Sequence, residues 1–309
     1  MPIPFFTRDT LAQAVSPEQA VDAVRDAFVA YARGEWTMPA KVYVPAYPAG
    51  DFRAMPALGG GYAMVKWITS FPGNPALGLP TVTGLVLLSD ASNGMLRAAF
   101  DAGAVTALRT GAAAVLAAET LGCDGDVSVV GCGVNGLATA RTFAARGRAP
   151  IVWDVDKARA DAAAAEVGGR VAGSLDEALR ASVVATVTPG REVLFPEGSL
   201  RPGQHVSLMG ADGPGKAEIA ARELARVRVY CDDWEQASHG GEVAQCVEAG
   251  LLGRGDVAEL GRVLLGEAEG RGSAEEITAF DSTGLAIQDL AIALAALEAA
   301  PADLPQIPV

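Results

Sequence analysis

Histidine is nearly missing from this chain, with two among 309 residues, too few for a metal centre built on imidazole. Cysteine is scarce too, and Cys123, Cys132, Cys231 and Cys246 lack metal-ligand spacing. In their apolar surroundings they read as reduced, partly buried thiols of a cytoplasmic protein. Basic residues are outnumbered, 24 against 37 acidic, giving a net charge of −13. Phosphate backbones and anionic bilayers need basic patches, so neither nucleic acid nor membrane is expected as a partner. Uninterrupted apolar runs look too short to span a bilayer; the richest, "LAIALAALEAA", follows Asp289 and is broken by Glu298. The opening "MPIPFFTRDT" lacks a basic stretch followed by an apolar one, so no secretory signal is expected.

What is present is a globular composition, 50% apolar, on a chain long enough for two domains. Ser16, Pro17 and Gln19 predict a capped helix over 16–33, with Gly34 behind it and Val21, Val24, Phe28 and Tyr31 on one face. From 41 to 101 the pattern turns to strands, "KVYVPAY", "FRAMPAL", "YAMVKWI", "TVTGLVLLSD" and "MLRAAFD", parted by Gly, Pro and Asn. These suggest a β unit of antiparallel or mixed strands. An alanine-rich helix over 104–122 follows. From 126 buried strands alternate with helices, "AEIAARELA" among the latter, which implies a parallel sheet covered on both faces. A long helix over 284–300 closes the chain.

Gly131-Cys132-Gly133-Val134-Asn135-Gly136 matches G-x-G-x-x-G and sits directly after the strand "VSVV" and before a helix. In that setting Gly131 permits the tight turn, Gly133 the approach of a pyrophosphate, and Gly136 close helix–strand packing. The helix start offers free N–H groups to phosphate. Asp154 lies 18 residues past Gly136, where a carboxylate accepts ribose hydroxyls and repels a 2′-phosphate, which favours NAD over NADP.

Lys66 stands inside an otherwise apolar strand, with Met64 and Ile68 on its face and Val65 and Trp67 on the other. Burying an ammonium is costly without a partner or a task. The residue is either an edge lysine reaching solvent, half of a structural ion pair, or a working group. Asp212, in "MGADGPGK", follows the buried strand "HVSLMG" and is either a ligand-facing carboxylate or a turn residue before Pro214. Arg109, in "ALRTG", sits among Ala107, Leu108 and Ala112, which disfavours a solvated helix face.

The blocks "VKWITSFPGNPALGLPTVTGLVLLSD", "TALRTGAAA", "GADGPGK", "DDWEQASHGGE" and "FDSTGLAIQD" together resemble the ornithine cyclodeaminase/mu-crystallin family, most of all its alanine dehydrogenases. The likeness runs from about residue 16 to 300. It implies an α/β protein, a Rossmann dinucleotide-binding domain inserted in a smaller α+β substrate and dimerisation domain. The expected division is 1–115 plus 285–309 for the outer domain and 116–284 for the NAD-binding one, with the active site in the cleft. It also implies chemistry at the α-carbon–nitrogen bond of an amino or imino acid, through hydride exchange with a nicotinamide.

By the same resemblance Lys66 and Asp212 are the catalytic pair, one holding the substrate carboxylate or a water, the other moving a proton. Arg109 bridges carboxylate and nicotinamide. Arg53 falls at a substrate-pocket position, and Lys41 stands where many relatives carry arginine. Thr283 lies beside the reacting carbon. For the cofactor the resemblance carries over Thr81, Arg109, Thr110, Val134, Asn135, Asp154, Thr188, Met209, Gly210, Ala211, Lys216 and Ser282, beside the three glycines. His239, in "SHGGE", reads as structural more readily than catalytic, having no evident partner.

The expected activity is an NAD-dependent amino-acid dehydrogenase converting a small L-amino acid to its 2-oxo acid and ammonia. The alternatives are an ornithine-cyclodeaminase-type lyase, a cyclic imine (ketimine) reductase, and a non-enzymatic ligand binder. Arg53 favours the first, because a guanidinium repels the distal ammonium of ornithine, whereas Arg53, Lys66 and Arg109 together suit one carboxylate. A two-fold homodimer through the N-terminal domain is expected as well.

Overall fold

Ser16 sets where the first long helix begins. Its hydroxyl accepts from the Gln19 amide at 3.2 Å, and Gln19 Oε1 accepts from the Ser16 amide at 2.9 Å. The structure, a computed structural model, describes residues 2–213 and 215–308; Met1, Pro214 and Val309 lie outside the described residues. The chain begins with β1 (Pro2–Phe6), α1 (Arg8–Ala14) and α2 (Pro17–Ala32), the last burying Val21, Val24 and Phe28. Neither β1 nor α1 shows an amphipathic signature. Pro2 and Pro4 hide the strand, and only Phe5 and Phe6 pair with the strand on its inner side.

Next come β2 (Val42–Ala46), β3 (Gly50–Gly59), β4 (Tyr62–Ser70), β5 (Val82–Asp90) and β6 (Leu96–Asp101), each after β2 antiparallel to the one before. Because β1 runs parallel to β6, the sheet is mixed. Lys66 lies opposite Met55 on β3 and Val86 on β5, so all three point to one face, and that face is buried. The other face leaves Val42, Val44, Trp67 and Leu85 exposed.

The following helix is α3 (Ala102–Leu121), whose apolar sequence is interrupted by Arg109 and Glu119. By length and composition it could cross a membrane, since Arg109 interrupts the run without breaking the helix. Its apolar window is 78% buried within the protein, which is how a core helix behaves.

A doubly wound α/β sheet follows: β7 (Val127–Val130), α4 (Val134–Ala145), β8 (Ile151–Trp153), α5 (Lys157–Val167), β9 (Arg170–Val171), α6 (Leu175–Ala178), β10 (Val183–Thr186), β11 (His205–Leu208), α7 (Ala221–Leu224), β12 (Arg228–Cys231), α8 (Trp234–Gly240), α9 (Glu242–Glu248), β13 (Val257–Glu259), α10 (Leu260–Leu264) and β14 (Thr278–Asp281). All its pairings are parallel, in the order β13-β12-β14-β11-β10-β7-β8-β9. Strands β7, β10, β11 and β14 are buried on both faces, which explains why they lack the polar–apolar alternation of a half-exposed strand. The helix expected at "AEIAARELA" shrinks to α7. Its first residues are held extended instead, Ile219 bridging to Phe195 and the Glu218 carbonyl accepting from the Leu194 and Phe195 amides.

The chain ends with α11 (Ala286–Glu298), packed on α2 and β3, and β15 (Gln306–Pro308), antiparallel to β1. Two compact units result, Met1–Arg109 with Leu285–Val309, and Thr110–Gly284.

Candidate active site

In the first unit the buried face of β4 carries one charge. Lys66 is 1% exposed, and its Nζ reaches Asp289 of α11, 2.8 Å from Oδ1 and 2.7 Å from Oδ2. It also donates to Thr106 Oγ1 at 3.3 Å, while the Thr106 hydroxyl donates to the Ala102 carbonyl at 2.6 Å. Burial pushes the Lys66 pKa down to about 8, with Arg109 and Lys41 pressing the same way and Asp289 resisting.

Arg109 completes the cluster. Its Nε lies 3.6 Å from Asp289 Oδ1, too long for a hydrogen bond, and its Nη1 lies 3.4 Å from Gln288 Oε1. Arg109 Nε and Gln288 Nε2 are buried donors without an acceptor among the described residues. Two cations therefore share one carboxylate, with two donors to spare. The charge and the two donors suit an anion, and leaving a buried donor unmet costs about 1–3 kcal/mol.

Asp289 is the residue that the sequence reading passed over. Its signal is a carboxylate that, with Gln288 beside it, interrupts the otherwise apolar stretch 284–297. The Arg53 expectation needs correcting on one point: its fork is already engaged. Nε donates to Asp51 Oδ1 at 2.6 Å and Nη2 to Oδ2 at 3.3 Å, and the guanidinium stacks over Tyr43 at 5.3 Å. It is therefore paired with a carboxylate of its own, whereas Lys66 and Arg109 share Asp289. Lys41 precedes β2 and is half-buried, and Thr81 lies just before β5 with its carbonyl accepting from Phe71.

In the second unit the glycine turn has the geometry its chemistry needs. Gly131 takes φ +96°, a conformation open to glycine, and an added Cβ at Gly136 would meet the Gly131 carbonyl oxygen at 1.7 Å. Nothing lies within 4 Å of a Cβ added at Gly133, so the backbone there is open to a ligand. α4 starts on Gly133 with no side-chain cap, leaving the first N–H groups, among them those of Val134 and Asn135, without an intrahelical acceptor. A pyrophosphate fits that cradle. Asp154, at the end of β8, braces the same turn, accepting from the Cys132 amide at 2.6 Å and the Asp156 amide at 2.8 Å.

Asp212 and Lys216, expected in separate roles, form an ion pair with each other. Thr188 donates through its hydroxyl and amide to Glu218 Oε1, and Gly210 through its amide to Glu218 Oε2. Met209 and Ala211 flank Gly210 in the same turn, and Thr110 is buried on α3. Ser282, Thr283 and Gly284 all donate to the buried Asp232, at 3.3, 3.1 and 2.8 Å. Glu218 and Asp232 were both missed, since neither a lone glutamate in "KAEI" nor the first of two aspartates in "CDDW" has a pattern that marks it. His239 Nδ1 lies 2.8 Å from the Glu235 carbonyl in its own helix, an ordinary structural contact.

The comparisons with known proteins agree on one family. The chain is 40% identical to an alanine dehydrogenase of Archaeoglobus fulgidus over 93% of this chain and 92% of that one. A solved archaeal alanine dehydrogenase dimer with bound NAD superposes with a TM-score of 0.91 at 38% identity, covering 100% of this chain and 99% of that one. An iminosuccinate reductase of Paracoccus denitrificans is 31% identical over 94% of each chain. The sequence profile of one family matches residues 6–302, and by it the chain belongs to the ornithine cyclodeaminase/mu-crystallin family.

Proposed function

We propose that this protein is an NAD-dependent amino-acid dehydrogenase acting on a small L-amino acid, alanine first among candidates. The observation that carries this reading is the Lys66–Arg109–Asp289 cluster, which has one positive charge in excess and unmet buried donors. That is the complement of one carboxylate. The likeness to named alanine dehydrogenases supports the choice of substrate.

Lys66 and Arg109 hold the carboxylate, and this fixes the α-carbon and its amine. Asp212 takes the proton from the attacking water as the imine is hydrolysed to a 2-oxo acid and ammonia. NAD, bound along Gly131, Gly133, Gly136 and Asp154, supplies the acceptor for the hydride that leaves the α-carbon. Thr188, Ser282, Thr283 and Lys216 complete its surroundings. The outer unit serves substrate and dimer, and the inserted unit serves the cofactor. A homodimer would cover the exposed apolar face of Val42, Val44, Trp67 and Leu85.

A second reading is reduction of a small imino acid, favoured by the likeness to iminosuccinate reductase. A panel of L-amino acids with NAD, and of 2-oxo acids with ammonia or with preformed imines and NADH, separates the two. Turnover with amino acids or with 2-oxo acids plus ammonia supports the dehydrogenase. Turnover with the preformed imine alone contradicts it.

A further inference from the structure

Glu218 is completely buried, yet its neighbours are polar. Its carboxylate collects four donors: Oε1 accepts from the Thr188 amide at 3.1 Å and hydroxyl at 2.6 Å, and Oε2 from the Thr186 hydroxyl at 2.6 Å and the Gly210 amide at 2.9 Å. These donors belong to the turns at the carboxyl ends of β10 and β11. Its own backbone is pinned as well, the amide donating to Glu242 Oε1 at 2.6 Å. Glu218 thus ties the start of segment 210–218, which carries Asp212 and Lys216, to its end. The fit is tight, since a Cβ added at Gly210 would meet Glu218 Cδ at 2.5 Å.

The glycine turn follows β7 and Asp154 follows β8, on one side of the point where strand order reverses; β10 and β11 lie on the other. A dinucleotide laid across such a point puts its adenosine half toward the first pair and its nicotinamide half toward the second. We propose that Glu218 is a positioning residue for the nicotinamide half, acting through Thr188 and the 210–218 segment. The inference rests on the NAD reading above.

Glutamine has nearly the same shape, but one oxygen becomes an NH₂ group. Placed against the Thr188 or Gly210 amide, it sets donor against donor. The turns must then move, while the glycine turn and Asp154 keep their bonds.

The test compares affinities for NADH and for ADP-ribose, which lacks the nicotinamide, by calorimetry on the full chain. We expect Glu218→Gln to weaken NADH about tenfold while ADP-ribose changes less than about twofold. Thr186→Val removes one donor from the same carboxylate and should show the same split, at about threefold. Because the Thr186 hydroxyl donates to Glu218 and valine keeps the side-chain shape and the strand pairing, this variant decides the question if Glu218→Gln fails to fold. Equal losses for both ligands, or unchanged NADH binding in the variants, overturn the proposal. Failure of the unmodified protein to bind NADH contradicts the NAD reading instead.

Discussion

Lys66 Nζ lies 2.7 Å from Asp289 Oδ2, although 223 residues separate the two in sequence. The pair joins β4, an interior strand of the first unit's sheet, to that unit's last helix and so closes the unit around a charge. Asp289 lowers the cost of burying the ammonium without removing it. The lysine therefore remains poised, with a pKa of about 8.

That value has two consequences with definite signs. The folded pKa of Lys66 lies below its ordinary 10.5, so the fold prefers the neutral amine. The penalty is complete below about pH 8 and is relieved as pH rises toward 10.5, by on the order of 3 kcal/mol. Activity runs the other way, because the ammonium is the form that holds a carboxylate. We expect kcat/KM to fall above about pH 8, and kcat to fall at higher pH because bound carboxylate stabilises the charge. Asp289→Asn should move the kcat/KM limb to lower pH; an unmoved limb contradicts the role given to the pair.

Lys66→Ala should lower turnover by roughly 10² or more and leave NAD binding nearly intact, as expected of a group that acts on substrate. Asp212→Ala should do the same. A variant that keeps most of its turnover removes its residue from the mechanism.

For the cofactor, we expect NAD(H) over NADP(H) by at least about tenfold, since Asp154 meets a 2′-phosphate with like charge. Asp154→Ser should narrow that preference. The Asp154 carboxylate also braces the glycine turn through the Cys132 amide, so some loss of NAD affinity should accompany the change. Calorimetric titration with both cofactors reads both effects.

Trp67 is 44% exposed on the apolar sheet face. Trp67→Glu should shift the sedimenting species from dimer to monomer at micromolar concentration. Sedimentation of the unmodified chain as a stable 31.5 kDa monomer would remove the dimer from the account.

Much of this was legible in the sequence where local rules act. The Ser16–Gln19 cap, the glycine turn and the β4 alternation are all local, and each appears where residue spacing puts it. Long-range pairing was not legible. Nothing near Lys66 names Asp289, 223 residues on, as its partner. Strand β1 escaped because its prolines mask a pairing that depends on β6 and β15, and the helix at 217–225 shortened because Glu218 is held by distant donors. Buried carboxylates such as Glu218 and Asp232 earn their places through contacts that only the fold assembles.

The most direct test of the central claim is to follow NADH and ammonia together when the purified protein meets L-alanine and NAD, and separately L-ornithine and NAD. The account predicts NADH and ammonia in equal amounts from alanine, with little ammonia and little proline from ornithine. Ammonia from ornithine without accumulating NADH, and none from alanine, would contradict it.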